Sequence, residues 1–245
     1  MAEDAPKVRL FVEADLGARA EVAVGREQAN YLFNVMRLGP GAPVALFNGR
    51  DGEWRAEVAE AGKRGGTLRC VAPLRAQDAA PDLHLLFAPL KKARTDFVAE
   101  KATEMGARRL APVFTDFTNA ERVNVERLRA HAVEAAEQCG ILTVPEVAGP
   151  ARLAAALDAW DPARRLLFCD EARDAPSAAR ALAGAGGGPW AILIGPEGGF
   201  SEAERARLRA ADFATPVSLG PRVLRADTAA VAALALWQAA LGDWR

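Results

Sequence analysis

Ala191-Ile192-Leu193-Ile194-Gly195-Pro196-Glu197-Gly198-Gly199-Phe200-Ser201 is the stretch on which the fold turns. Its first four residues form an apolar run, short and closed by glycine, which reads as a strand. Ser201 and Glu204 then occupy the N-cap and N3 positions of a capping box, so a helix begins there. The same order of strand, glycine loop and helix recurs over Val217-Ser218-Leu219-Gly220-Pro221-Arg222-Val223-Leu224-Arg225-Ala226-Asp227-Thr228-Ala229. Working outward, strands are predicted at His84 to Pro89, Arg109 to Phe114, Arg165 to Cys169, Trp190 to Ile194 and Pro216 to Leu219. Helices alternate with them at Thr95 to Met105, Val125 to Cys139, Ser177 to Ala183, Ser201 to Ala211 and Thr228 to Leu241. That alternation predicts an α/β domain with a mainly parallel sheet.

The N-terminal part has a different texture. Runs such as Val8 to Val12, Pro43 to Phe47 and Thr67 to Val71 are separated by Gly49, Gly52, Gly62, Gly65 and Gly66, the pattern of a small β-rich domain. One helix is predicted inside it, over Glu27 to Met36, from the spacing of Tyr31, Leu32 and Val35. Ala76 to Asp82 has no apolar periodicity and reads as a linker. The expected domains are therefore residues 1–76 and 83–245.

Composition excludes several function classes. The chain has 245 residues, 51% apolar, enough to bury a core in either domain. The longest apolar helical run, Ala229 to Leu241, falls well short of the roughly 20 residues a bilayer span requires, so no membrane partner is expected. Met1 to Lys7 has no apolar signal core, and a cytoplasmic location is expected. Three cysteines without C-x-x-C spacing and two histidines suggest neither disulfides nor a metal centre. A net charge of −1 gives no global attraction to nucleic acid, so any RNA contact must use local positive charge. The phosphate loop G-x-x-x-x-G-K-[ST], the elbow G-x-S-x-G and a strand-linked G-x-G-x-x-G are all missing.

What remains are the two glycine loops. Glycines at the carboxyl end of a parallel strand let main-chain groups approach a ligand, although a plain strand-to-helix turn would look the same. Val223 and Leu224 lie in a loop where exposure is costly; an adenine ring or ordinary core packing could cover them. Asp227 reads either as functional or as an N-cap.

The ordered set I-G-P-E-G-G-F-S (Ile194 to Ser201), S-L-G-P-R-V-L-R-A-D-T-A (Ser218 to Ala229), K-A-T-E-M-G (Lys101 to Gly106) and E-A-A-E-Q-C-G (Glu134 to Gly140), followed by V-P-E-V (Val144 to Val147), resembles the 16S rRNA uracil-N3 methyltransferases of the SPOUT superfamily. N-V-M-R-L-G-P-G (Asn34 to Gly41) and L-F-N-G (Leu46 to Gly49) are similar to that family's RNA-binding domain. The resemblance implies a PUA-like β-barrel followed by a trefoil-knotted SPOUT domain that binds S-adenosyl-L-methionine. It also implies a homodimer with each cofactor pocket near the subunit interface; the apolar last helix agrees with burial on more than one side. The implied reaction is methylation of N3 of a uridine in 16S ribosomal RNA, uridine 1498 in conventional numbering, within the assembled small subunit. The alternatives are a SPOUT enzyme acting on another RNA position, such as a 2′-hydroxyl, and a catalytically silent RNA-binding protein.

Carried over onto this chain, Ile194, Gly195, Pro196, Gly198 and Gly199 of the first loop, with Leu219, Gly220, Val223, Leu224 and Thr228 of the second, would line the cofactor site. Main-chain groups of Ile194, Leu219 and Leu224 would hold the adenine. The chain departs from the family in having Asp227 for the usual glutamate, Ile141 for an arginine, and Asn30 and Tyr31 where histidine is frequent. Arg37, and Lys91, Lys92 and Arg94 with only Asp96 nearby to oppose them, are expected to contact RNA phosphates. Because uracil N3 carries a proton, a cation near the ring oxygens must favour the anion. Arg225 is the first candidate and Arg222 the second, with Glu197 or Asp227 as proton acceptor or as the group that orients the arginine.

Overall fold

The computed structural model describes residues 6–170 and 175–244. It comprises two compact units: the chain up to Ala79 together with Ala136–Val144, and Ala80–Ala135 together with the chain from Pro145.

In the first unit, β1 (Arg9–Phe11), β2 (Glu21–Val24), β3 (Pro43–Phe47), β4 (Glu53–Ala61) and β5 (Gly66–Arg75) form a mixed, barrel-like sheet in the order β1-β3-β4-β5-β2. Only the β1–β3 pair is parallel. Val22 and Val24 alternate with exposed neighbours along β2, as one buried sheet face requires. They join Leu10, Leu46, Val58 and Leu68 in the core.

The helix predicted over Glu27 to Met36 is present, but its winding changes along its length. A short α1 (Arg26–Ala29) gives way to a π-helical turn, Asn30–Val35, in which the Met36 N–H donates to the Tyr31 carbonyl at 2.9 Å. The wider turn breaks the 3.6-residue spacing, so Leu32 is buried while Val35 is 61% exposed. Residues 136–144 are held by polar contacts that no periodicity announces. The Arg9 guanidinium donates to the carbonyls of Ala136, Glu137 and Ile141 at 2.5, 2.9 and 3.0 Å. Glu53 braces it at 2.6 Å and also binds Arg75 at 2.8 Å.

The second unit alternates as expected: β6 (Leu83–Phe87), α2 (Lys92–Glu104), β7 (Arg109–Phe114), the start of α3 (Val125–Gln138), β8 (Glu146–Val147), β9 (Ala151–Arg152), α4 (Leu153–Asp158), β10 (Arg165–Cys169), α5 (Ala178–Ala183), β11 (Trp190–Ile194), α6 (Glu202–Arg209), β12 (Ala214–Val217) and α7 (Ala226–Leu241). The sheet order is β12-β10-β11-β6-β7-β8, with β9 also on β7, and every pair is parallel. Leu85, Ile192 and Leu167 pack on one face with α2 and α7. Leu86, Leu193 and Phe168 pack on the other with Leu153, Phe200 and Leu208. Burial of both faces explains why these strands read as unbroken apolar runs.

Two helix starts differ from expectation. α2 begins at Lys92, so Lys92 and Arg94 belong to its first turn. α7 begins at Ala226 with Arg225 as its N-cap residue. Asp227 is thus inside the helix and is not its N-cap.

Candidate functional site

Strand register builds the site. Phe87, Ile194, Cys169 and Val217 lie in one row across β6, β11, β10 and β12. All four strands run the same way, so their following segments leave the sheet at one level. They converge on a pocket of about 590 Å³ at the carboxyl edge, where open parallel sheets hold ligands.

The first wall is the Gly195–Gly199 loop. A Cβ on Gly195 would stand 2.6 Å from Phe200 Cε2, so only glycine lets the loop cross this ring. Phe200 is buried and meets Phe168 edge-on at 5.0 Å. The predicted capping box is present: the Ser201 hydroxyl accepts from the Glu204 N–H, and the Glu204 carboxylate accepts from the Ser201 N–H. The box is tied to the turn after β7, since Asp116 donates its N–H to Glu204 at 2.9 Å and accepts from the Ser201 hydroxyl at 2.6 Å.

The second wall is Ser218 to Arg225. It is anchored where the Ser218 N–H donates to Pro176 and the Ser218 carbonyl accepts from Ala178, at 2.8 and 2.9 Å. Core packing does not cover Val223, which is 78% exposed on the pocket wall; Leu224 is half-buried there.

The third wall holds Lys91 and Arg94. Arg94 grips Asp227 with two hydrogen bonds, Nε to Oδ2 at 2.7 Å and Nη2 to Oδ1 at 2.9 Å, while Nη1 contacts the Glu197 carboxylate. The hydrogen bonds from Arg94 lower the Asp227 carboxyl to about 2, and those to Asp227 raise the Arg94 guanidinium above its usual value. The expectation that Asp96 alone opposes these cations is therefore corrected. Asp96 is engaged by Arg127 at 2.8 and 2.6 Å, and the groups facing Arg94 come from distant parts of the chain.

Of the residues singled out from sequence, Ile194, Gly195, Pro196, Glu197, Gly199, Leu219, Gly220, Arg222, Val223, Leu224, Arg225, Lys91 and Arg94 line the pocket. Asp227 reaches it through Arg94. Gly198 faces Phe117, whose Cβ would lie 3.2 Å from an added Cβ. Thr228 and Lys92 are not among the lining residues, and Arg37 belongs to the first unit, where it adopts a left-handed φ of 55°. Among the described residues, neither Arg222 nor Arg225 has a side-chain hydrogen bond or ion-pair partner, so both charges are available to a ligand.

Cys169, Asp170 and Ser218 also line the pocket and were not singled out. Burial pushes the Cys169 thiol up to about 12, leaving it protonated at neutral pH. The Asp170 carboxylate is pinned by Arg205 and Arg209 at 3.0 and 2.8 Å. The signal for Cys169 and Asp170 is position alone: Cys169 ends β10 in the register row of Ile194, and Asp170 is the next residue.

A family model described as "RNA methyltransferase domain" matches residues 78–238, and one described as "RNA methyltransferase PUA domain" matches residues 24–69. The chain belongs to the RNA methyltransferase family. This RNA methyltransferase is 30% identical to the ribosomal RNA small subunit methyltransferase E of Synechocystis, over 93% of the chain and 76% of that protein. It is 28% identical to the protein of the same name from Rickettsia conorii, over 93% of each. Among solved structures, a putative methyltransferase of Legionella pneumophila, described in complex with the bound cofactor SAM, matches with TM-score 0.86 and 26% identity. That match covers 98% of this chain and 100% of the other. The fold is the SPOUT fold preceded by a PUA-like domain.

Proposed function

We propose that the protein uses S-adenosyl-L-methionine to methylate N3 of a uridine in 16S ribosomal RNA, uridine 1498 in conventional numbering, within the assembled small subunit in the cytoplasm. The observation that carries this reading is the pocket at the carboxyl edge, where an exposed valine and main-chain loops meet two unpartnered arginines. The residues present fit the cofactor. A cavity of about 590 Å³ lies in the range of small-molecule sites. Val223 and Leu224 offer apolar cover for a base, and the Ile194, Leu219 and Leu224 main chain offers hydrogen bonds at its edge. No group of three or more metal-ligating side chains occurs among the described residues, and the chemistry needs none.

Bound S-adenosylmethionine supplies an electrophilic sulfonium methyl group. The chain's own task is to make uracil N3 a nucleophile. Arg225, with Arg222 second, places positive charge beside the ring oxygens and favours the N3 anion as its proton leaves to solvent. Asp227 and Glu197 act as orienting groups, since both are already engaged by Arg94. Lys91, Lys92 and Arg37 position the phosphate backbone. A second copy completes the enzyme across α7, on which Val231, Leu236 and Leu241 are only partly buried within one chain.

The test incubates purified protein and labelled S-adenosylmethionine with small subunits lacking the modification, then maps the product by mass spectrometry. N3-methyluridine at position 1498 is expected, faster on subunits than on naked 16S RNA. Methyl on a ribose oxygen or at another nucleotide would refute the reading. Light scattering is expected to give the mass of a dimer, and a fully active monomer would refute the pairing across α7.

A further inference from the structure

Arg94 is set apart by what holds it. It stands in the first turn of α2, Glu197 comes from the loop after β11, and Asp227 comes from the first turn of α7. Three segments, separated by 103 and 133 residues from Arg94, meet on one guanidinium. A planar fork can satisfy two carboxylates at once, which a lysine ammonium cannot do with the same geometry. Asp227 lies two residues beyond Arg225, the N-cap of α7, which makes no side-chain capping bond of its own. The start of α7 is therefore fixed by Asp227 and, through it, by Arg94.

We propose that Arg94 is a positioning residue: it clasps Glu197 and Asp227, locks the two pocket loops against α2, and thereby aims the unpartnered Arg225 guanidinium at the substrate base. This rests on the functional reading above and reassigns Arg94 from the RNA phosphates to the pocket. The clasp also removes unpaired negative charge from the rim. Asp170 is neutralised in the same way by Arg205 and Arg209, so the cations facing an incoming polyanion are Lys91, Arg222 and Arg225.

Arg94→Lys separates the two roles, because lysine serves a phosphate as a point charge but cannot rebuild the fork. Full-length wild type, Arg94→Lys, Arg94→Met, Asp227→Asn and the Arg94→Met/Asp227→Asn double variant are compared after melting curves confirm that each folds. Both Arg94 variants are expected to lower the single-turnover rate by on the order of 10²-fold, the scale of an ångström-level misplacement. The RNA KM and the salt dependence of binding should stay at wild-type values, and the double variant should be no slower than Arg94→Met. Hydrogen exchange without substrate should show the first-turn amides of α7 losing protection in both Arg94 variants.

An Arg94→Lys enzyme at the wild-type rate, combined with a higher RNA KM and a salt slope reduced by about one in Arg94→Met, would establish a phosphate contact and overturn the proposal. Unchanged exchange at the start of α7 would overturn it as well. If wild type itself fails to methylate the subunit, the functional reading falls, while the exchange data still decide whether the clasp exists.

Discussion

Replacing Gly195 by alanine tests how the fold shapes the pocket. The added Cβ would lie 2.6, 2.8 and 3.2 Å from Cε2, Cζ and Cδ2 of Phe200. That ring cannot swing aside freely, because it is buried and already meets Phe168 edge-on. Overpacking of this kind costs about 1–3 kcal/mol. Gly195 is not among the positive-φ glycines, so alanine recovers about 0.4–1 kcal/mol from a stiffer unfolded chain. The net loss is about 0–2.6 kcal/mol, which at roughly 2–4 °C per kcal/mol lowers Tm by up to about 10 °C.

Urea unfolding followed by tryptophan fluorescence reads this unit, since Trp160, Trp190 and Trp237 all lie in it. Isothermal calorimetry should show S-adenosylmethionine affinity reduced by about tenfold or more, near 1.4 kcal/mol, because the displaced atom belongs to the pocket wall. Trimming the ring should relieve the clash, so Gly195→Ala/Phe200→Leu is expected to be more stable than the sum of its single changes by at least about 0.5 kcal/mol. A Gly195→Ala protein with wild-type stability and affinity would show that the contact does not constrain the loop.

Arg225→Ala should slow methyl transfer by about 10²–10³-fold, or roughly 2.7–4 kcal/mol, with cofactor affinity little changed and partial rescue at higher pH. Loss of cofactor binding with an unaltered pH profile would pass the role to Arg222. The Asp227 carboxyl is depressed by Arg94, so its pairing stabilises the fold fully above the ordinary carboxyl value near 3.8 and loses that contribution as pH falls toward about 2. Asp227→Asn should therefore flatten the acid limb of the stability curve between those values, and an identical limb would refute the pairing. Cofactor affinity should be the same with and without EDTA; loss of binding on chelation would reveal a metal.

The parts of the fold visible in the sequence are those written in local chemistry. Ala191 to Ile194 is apolar throughout because both sheet faces are covered, and Ser201 with Glu204 announces a helix start at a fixed three-residue spacing. The clasp is invisible for the opposite reason: Arg94 follows Lys91 and Lys92 and looks like one more surface cation until distant carboxylates close on it. The π-helical turn hides because Tyr31, Leu32 and Val35 suit an ordinary helix, and only the packed chain shows that Val35 has turned outward. Strands as short as β8 and β9 carry no period of their own. The return of residues 136–144 rests on backbone carbonyls held by Arg9, on the Glu137 carboxylate that accepts from the Phe11 N–H, and on Ala136 and Leu142 packed with Phe47, all contacts with residues distant in sequence.

Val223 stands in water while the aliphatic side chains of the strands behind it do not. A ligand that covers it removes apolar surface from solvent, and burial of that kind makes the heat capacity of binding negative. Association at this pocket should therefore become more exothermic with each degree of warming while its free energy barely moves. In calorimetric terms, the slope of enthalpy against temperature is a fingerprint of where on the loop the ligand sits, and Val223→Ser should make that slope shallower.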